Sequence, residues 1–381
     1  MKNIKICLVS DTVFDLNGVS RFIQDFSKQA IKFEKDFFVL TSTKKVGDDS
    51  FSNIINIEPI FRIKMPFYKS LDLVFPNLFK IKKELKRLNP DILHISTPGT
   101  VGLSALICAK LLDIPVVGIY HTDFPAYIYK NTKNSFIKWI CIKYLKLFYS
   151  SYKAIFCRSK CYFKILKEQL NFKGENLYLL KAGIDLNRFD KSFMDNSIWE
   201  KYKIESSRFK VLYVGRISLE KNIDKLLKYW ENIELKNMQL LLVGNKELKK
   251  EIKSPSITYL GEKNKDELSK IYASSDCFIF PSTTDTLGQV VMEALSCALP
   301  VIVTNKGGPK TFVNEEFGYI IDIDNFDELK NALTQLSKKD KNYYEKKDKA
   351  YKFMRDKSIS HSFLDFWEKN ENIFLKLKSC G

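Results

Sequence analysis

The chain of 381 residues is 45% apolar, too long for one hydrophobic core and apolar enough to fill two, so two domains of about 150 to 200 residues are expected. It has no run of about 18 apolar residues that could cross a bilayer as a helix, and its composition excludes a disordered chain. The net charge of +17 is uneven: residues 1–190 carry 30 Lys and Arg against 17 Asp and Glu, whereas residues 191–381 carry 32 against 28. That asymmetry points to an anionic partner for the first half rather than a uniform compositional bias.

The apolar stretch Ile4–Val9 stops at Asp11, too short for a signal-peptide core but suited to a buried first strand. Further strands are expected at Phe37–Thr41, Ile92–Ile95, Val116–Ile119, Ala154–Cys157 and Leu177–Leu180, with helical periodicity between them, as at Arg21–Phe33 and Leu78–Leu88. The polar stretch Asp185–Phe209 has no strand signal and marks the expected junction. Beyond it strands are expected at Val211–Val214, Leu240–Val243, Ile257–Leu260, Cys277–Phe280, Val301–Thr304 and Tyr319–Ile321, with a helix at Ile223–Trp230. The last segment, Asn342–Lys378, reads as helical and aromatic. Continuous apolar strands alternating with helices imply parallel sheets covered on both faces. The expected class is α/β, with two doubly wound Rossmann-like domains, 1–190 and 191–355, facing a cleft. A C-terminal helix, 356–381, is expected to pack back toward the first domain. In such domains ligands bind beyond the carboxyl ends of the strands.

Eight cysteines lie scattered in the chain and read as reduced, mostly buried residues of a cytoplasmic protein. Cys157 and Cys161 have no companion pair at metal-site spacing, and His94, His121 and His361 are too separated for a histidine metal centre. No metal is expected.

The densest chemical signal follows Val211–Val214, where Gly215-Arg216 ends the strand and Lys221 comes five residues later. A strand-to-helix turn offers backbone N–H groups, and two cations beside it suit a diphosphate; two solvated surface cations are the alternative. The second signal is PSTTDTLGQVVMEALSCALP, 281–300, a loop leading into a helix expected to begin near Thr286 and Gly288. Asp285 and Glu293, eight residues apart, would share a helix face. Asp285 could equally serve as the N-cap. Glu293 lies in an apolar helix, where a carboxylate is costly unless it bonds a partner such as ribose hydroxyls.

GRISLEKN followed by DTLGQVVMEALSCALPVIV, with LLLVGN between them, resembles the donor site of the retaining glycosyltransferases of family four, which have the GT-B fold. Weaker matches, SDTVFDLNGVSR, HISTPGTVG, GIYHTDFPAY and AGIDLNRF, extend the resemblance over nearly the whole chain. It implies that Gly215 shapes the turn, that Arg216 and Lys221 neutralise the donor diphosphate, and that Glu293 holds the ribose. Asp285 and the amides of Thr286, Leu287 and Gly288 would contact the transferred sugar and its phosphate. Gly18 would let backbone approach that phosphate, and His121 would bond the sugar near its reacting carbon, as an imidazole neutral near pH 7 can. His94 lacks a supporting motif and reads as structural. The sequence departs from the family in having Asp285 for a usual Glu, one glycine (Gly18) where two are common, and Ala298 for a common glycine.

The implied reaction moves a hexose from a UDP- or GDP-sugar to an acceptor hydroxyl with retention, without a metal or other cofactor. Two segments, 59–87 and 136–149, mix aromatic and basic residues. They are either core-facing amphipathic helices or a surface for an anionic bilayer, with Lys64, Lys69, Lys138, Lys143 and Lys146 beside Phe67, Trp139 and Phe148. The second reading implies a peripheral enzyme on the inner face of the cell membrane that glycosylates a lipid. A soluble enzyme of oligosaccharide or cell-surface polysaccharide synthesis and a non-catalytic nucleotide-sugar-binding protein are the alternatives. No nucleic-acid partner is expected, because no recognition motif accompanies the charge.

Overall fold

The computed structural model describes residues 4–15, 17–45, 51–64, 72–233, 237–249, 254–285 and 287–379. The chain forms two compact units, Met1–Lys181 with Ile359–Gly381, and Ala182–Ser358. Both are Rossmann-like α/β units with parallel sheets.

The first unit runs β1 (Ile6–Ser10), α1 (Gly18–Lys32), β2 (Phe37–Thr41), β3 (Ile54–Asn56), β4 (Phe61–Lys64), β5 (Asp72–Phe75), α2 (Leu78–Leu88), β6 (Ile92–Ile95), α3 (Thr100–Leu111), β7 (Val116–Tyr120), α4 (Phe124–Thr132), α5 (Ser135–Tyr149), β8 (Ala154–Cys157), α6 (Cys161–Glu168) and β9 (Leu177–Leu179). Seven strands form one sheet in the order β3-β2-β1-β6-β7-β8-β9, every pairing parallel. All residues of β1, β6, β7 and β8 are buried, as strands covered by helices on both faces must be. The order reverses between β1 and β6, so the carboxyl ends of these strands open the crevice such sheets use. Helix α1 begins where the Asn17 side chain accepts from the Val19 and Ser20 amides, and it seats Phe22, Ile23, Phe26 and Ala30 against the sheet. Residues 61–64 and 72–75, in the segment read either as amphipathic helix or as a bilayer surface, form the antiparallel β4–β5 pair. Alternation in Phe61-Arg62-Ile63-Lys64 has period two, which a helix cannot present on one face.

The second unit runs α7 (Ile198–Lys201), β10 (Phe209–Val214), α8 (Ile223–Asn232), β11 (Met238–Val243), β12 (Ile257–Gly261), α9 (Lys265–Ala273), β13 (Cys277–Phe280), α10 (Gln289–Ser296), β14 (Val301–Thr304), β15 (Gly318–Ile321), α11 (Phe326–Ser337) and α12 (Lys341–Met354). Its six strands take the order β12-β11-β10-β13-β14-β15, again all parallel. Here the reversal falls between β10 and β13. The two chemical motifs follow those two strands.

The boundary expected at residue 190 falls instead after Lys181. Ile184 and Phe189 are fully buried in the second unit's core, and the Phe189 ring meets Tyr272 edge-on at 5.5 Å. Ile184 also bridges to Ser358, which keeps 356–358 in the second unit. The chain then returns to the first unit as α13 (Ile359–Ser379). Phe363 and Phe366 pack on Phe26 at 5.4 and 5.3 Å, and Lys181 pairs with Asp365 at 2.7 Å.

Candidate functional site

In the second unit β10 carries six consecutive buried residues and then breaks at Gly215. Gly215 has φ +147°, and a Cβ there would lie 2.8 Å from the Tyr213 hydroxyl. That hydroxyl donates to the Arg216 carbonyl at 2.7 Å, so only glycine lets the turn fold back over Tyr213. The turn delivers Arg216, Glu220 and Lys221 within six residues, before Asn222 opens α8 in the left-handed conformation.

Glu220 is the hinge of this cluster, and the sequence reading passed over it. It is buried, and one oxygen receives the Arg216 guanidinium at 2.6 Å. The other receives the Thr284 hydroxyl at 2.9 Å and lies 3.2 Å from the Lys221 ammonium. Lys221 in turn donates to Asp285 at 2.6 Å. Two loops, one after β10 and one after β13, are thereby stitched together by charge. Its position directly before Lys221 was a readable signal, because adjacent opposite charges can pair at a turn. Arg216 also has Glu247 at 3.7 Å.

Burial works against charge on both Lys221 and Asp285, but their mutual attraction outweighs it. Lys221 is held above its ordinary value, with Glu220 assisting, and Asp285 is held below its own. Both are ionised at neutral pH. A largely desolvated ion pair of this kind adds little net stability over apolar packing.

Asp285 is not the N-cap of α10. The helix starts at Gln289 with Gly288 at the cap, φ +70° and no side-chain cap bond. A Cβ at Gly288 would meet Pro309 at 2.6 Å, so glycine is required sterically as well as conformationally. Asp285 and Glu293 therefore do not share a helix face, because only Glu293 is helical. Glu293 is buried between Met292 and Ala294 on α10, and Leu287 is buried in the core. Thr286 lies outside the described residues. Cys157 and Cys161, read as a helical pair, sit at the end of β8 and the start of α6. Among the described residues no group of three or more His, Cys, Asp or Glu is placed to hold a metal ion.

The first unit gathers polar groups at its own strand ends. Asp11, after β1, accepts from the Thr97 hydroxyl at 2.7 Å and from the Val101 amide at 2.7 Å, so it caps α3. Gly18 begins α1 and is exposed, with open space around its Cβ position; the Val19 and Ser20 amides beside it are already engaged by Asn17. His121, directly after β7, places Nε2 2.8 Å from the Ser96 hydroxyl and its ring 5.1 Å from that of Phe22. Burial, with Arg158 adding to it, holds His121 well below its ordinary pKa, so the imidazole is neutral. Arg158, directly after β8, was also missed. His94 is fully buried and bonds Asn370 of α13 at 2.6 Å, a structural position.

Two Rossmann-like units, the second with a strand-end cation cluster, define the class of GT-B glycosyltransferases. Residues 195–353 match the family model described as glycosyl transferases group 1, and residues 16–188 match that of glycosyltransferase family 4. The chain belongs to this family. It is similar to the sulfoquinovosyl transferase SQD2 of Arabidopsis thaliana, 28% identical over 79% of this chain but 59% of the relative. It is also similar to the alpha-monoglucosyldiacylglycerol synthase of Streptococcus pneumoniae, 26% identical over 78% of this chain and 70% of that one. Among solved structures, the sucrose-phosphate synthase of Thermosynechococcus elongatus superposes with a TM-score of 0.78 at 15% identity, over 98% of this chain and all of that one.

Proposed function

We propose that the protein transfers a hexose from a UDP- or GDP-sugar to the hydroxyl of a membrane lipid, with retention at the anomeric carbon. The observation that carries this reading is the Arg216–Glu220–Lys221–Asp285 ionic network, built around the buried Glu220. Breaking the glycosyl bond places charge on the leaving diphosphate, and preorganised cations in a water-poor site lower that barrier most. An arriving diphosphate competes with Asp285 for the Lys221 ammonium, while Glu220 keeps Arg216 and Lys221 in register. Released from Lys221, Asp285 is free to accept from hydroxyls of the transferred sugar. Glu293 accepts from the ribose, and neutral His121 bonds the sugar near its reacting carbon. Gly18 and the amides of Leu287 and Gly288 are assigned to the phosphate side. Because Arg216 and Lys221 supply the positive charge, turnover should be insensitive to EDTA.

The lipid assignment draws support from the diacylglycerol named in the Streptococcus pneumoniae relative and from α5. Phe136, Trp139, Ile140 and Leu147, spaced three, four and seven residues apart, stand 66, 53, 47 and 76% exposed, with exposed Lys143 among them. An apolar helical stripe bearing cations suits an anionic bilayer surface. Phe148 does not belong to it, being buried in the core, since it sits on the opposite side of the helix. Lys69 and Phe67 lie outside the described residues, as does the side chain of Lys64. A peripheral position on the inner face of the cell membrane follows from this reading. The test is incubation with a panel of nucleotide sugars and membrane lipid extract, with and without EDTA, followed by mass spectrometry. A glycosylated lipid is expected; a glycosylated soluble glycan, or no product from any donor, would contradict the proposal.

A further inference from the structure

Among the described residues three cationic side chains are buried, Arg158, Lys210 and Lys346, and two of them have evident partners. Lys210 donates to the carbonyls of Ser206 and Arg208 at 2.6 and 2.7 Å, and Lys346 donates to the Glu315 carbonyl. Arg158 is 8% exposed, yet among the described residues no oxygen accepts a hydrogen bond from its guanidinium. Its close contact is the face of Phe22, with Cζ 4.7 Å from the ring centroid. A cation–π contact supplies about 2 kcal/mol when desolvated, against a burial cost of several kcal/mol for the ion. The fold alone does not account for placing a guanidinium there.

Its position in the sheet explains more. Tyr120 and Cys157 are register partners on β7 and β8, so His121 and Arg158 are the next residues on adjacent strands, at their carboxyl ends. The His121 ring and the Arg158 guanidinium both lie against Phe22, and Ser96 bonds His121. Asp25 on α1 is near enough to favour the charge on Arg158, and it also faces Arg21 at 3.9 Å. Arg158 remains protonated, since burial brings it down only to about 10.

We propose that Arg158, with His121 and Ser96, forms a site for an oxyanion (carboxylate, sulfonate or phosphate) carried by one of the two substrates. A guanidinium fork matches such a group bidentately, and a neutral imidazole beside it adds a directional bond without competing for the anion. The assignment of that oxyanion to a substrate rests on the glycosyl-transfer reading above, and it narrows the substrate class: either the transferred sugar is acidic, or the acceptor bears a phosphate. The same residue then discriminates against the neutral analogue, because a buried guanidinium left unpaired is costly.

The first arm of the test needs no turnover. In an Arg216→Gln/Lys221→Gln background, which removes the diphosphate cations, melting temperature is followed against sodium glucuronate and inorganic phosphate, with glucose plus sodium chloride at matched ionic strength. A saturable rise with the two anions is expected, lost on adding Arg158→Gln and partly kept with Arg158→Lys. Circular dichroism confirms that each variant is folded. An unchanged response in Arg158→Gln overturns the proposal, whatever the transfer assay shows. The second arm uses the otherwise wild-type chain with UDP-glucuronate against UDP-glucose, and with diacylglycerol against phosphatidate or a polyprenyl phosphate in vesicles. Arg158→Gln should lower kcat/KM for the acidic partner by about 30-fold or more and for its neutral counterpart by less than about threefold. Selective loss with the donor places the anion on the sugar, and selective loss with the acceptor places it there. Equal losses for acidic and neutral partners would overturn the inference.

Discussion

Asp285 illustrates how one residue can be held by one partner and intended for another. Its carboxylate pairs with Lys221 at 2.6 Å, where a diphosphate must also bind if the proposal holds. Asp285→Asn removes the competitor while leaving the cation, so UDP should bind several-fold more tightly even as turnover falls. Calorimetric titration checks this, and weaker UDP binding in the variant would contradict it. The pair also has a pH signature. Asp285 is depressed and Lys221 raised, so what the pair contributes is complete between the unfolded carboxylate and lysine values. It is lost as pH falls through the lowered Asp285 value, or rises through the raised Lys221 value. The stability difference between wild type and Asp285→Asn should therefore be flat from about pH 6 to 9 and shrink in stronger acid. Of these residues, Arg216, Lys221 and Asp285 were singled out from the sequence and meet in one ionic cluster, whereas the spacing that put Asp285 and Glu293 on one helix face did not hold. Glu220 was passed over although it stands beside Lys221 in the sequence, and Arg158 was missed because only the folded strand ends bring it to Phe22.

At the scale of elements, the central strands were readable because both faces are covered and the sequence is apolar without interruption, as in Phe37–Thr41 and Cys277–Phe280. Edge elements were not. β3 is only partly buried, and β4–β5 stands as a separate two-stranded sheet, so neither carries a continuous apolar run. α10 starts beside Gly288, near where the sequence put it, but the cap is this left-handed glycine and not Asp285, despite the latter's cap chemistry. α13 was expected to be helical, but its closest tie is a tertiary one: Asn370 bonds His94 inside the sheet's helical cover. Burial, opposed by that bond, lowers His94 to about 4. The unfolded chain takes up a proton near pH 6.5 and the folded chain does not until about 4, so stability should fall as pH drops across that window. The loss from this one group is about 3 kcal/mol. Denaturant unfolding of wild type and His94→Gln from pH 7 to 4 measures it; parallel curves would show that His94 is not the source.

For the molecule as a whole, the proposed bilayer contact draws on two separate observations, the basic first half and the exposed apolar stripe of α5. No described helix is long and apolar enough to cross a membrane, so attachment would be by surface contact, which salt weakens. The chain should sediment with anionic vesicles at low ionic strength and be released by about 0.5 M salt, a range in which the Debye length falls to a few Å. Leu147→Glu should reduce sedimentation without changing UDP affinity. Equal binding to neutral and anionic vesicles would remove the electrostatic part of the account. The two-unit division was legible from length and from the pause after Asp185. Its exact seam was not, because Ile184 and Phe189 are apolar residues whose choice of core no local pattern records.

The most direct measurement is steady-state turnover of Lys221→Ala and Arg216→Ala with the cognate nucleotide sugar, alongside melting curves of both variants. Each should stay folded and lose about a hundredfold or more in kcat, the cost of removing one preorganised group that stabilises a leaving anion. Near-wild-type kcat in both, with the fold intact, would show that these cations do not grip the leaving group and would contradict the account.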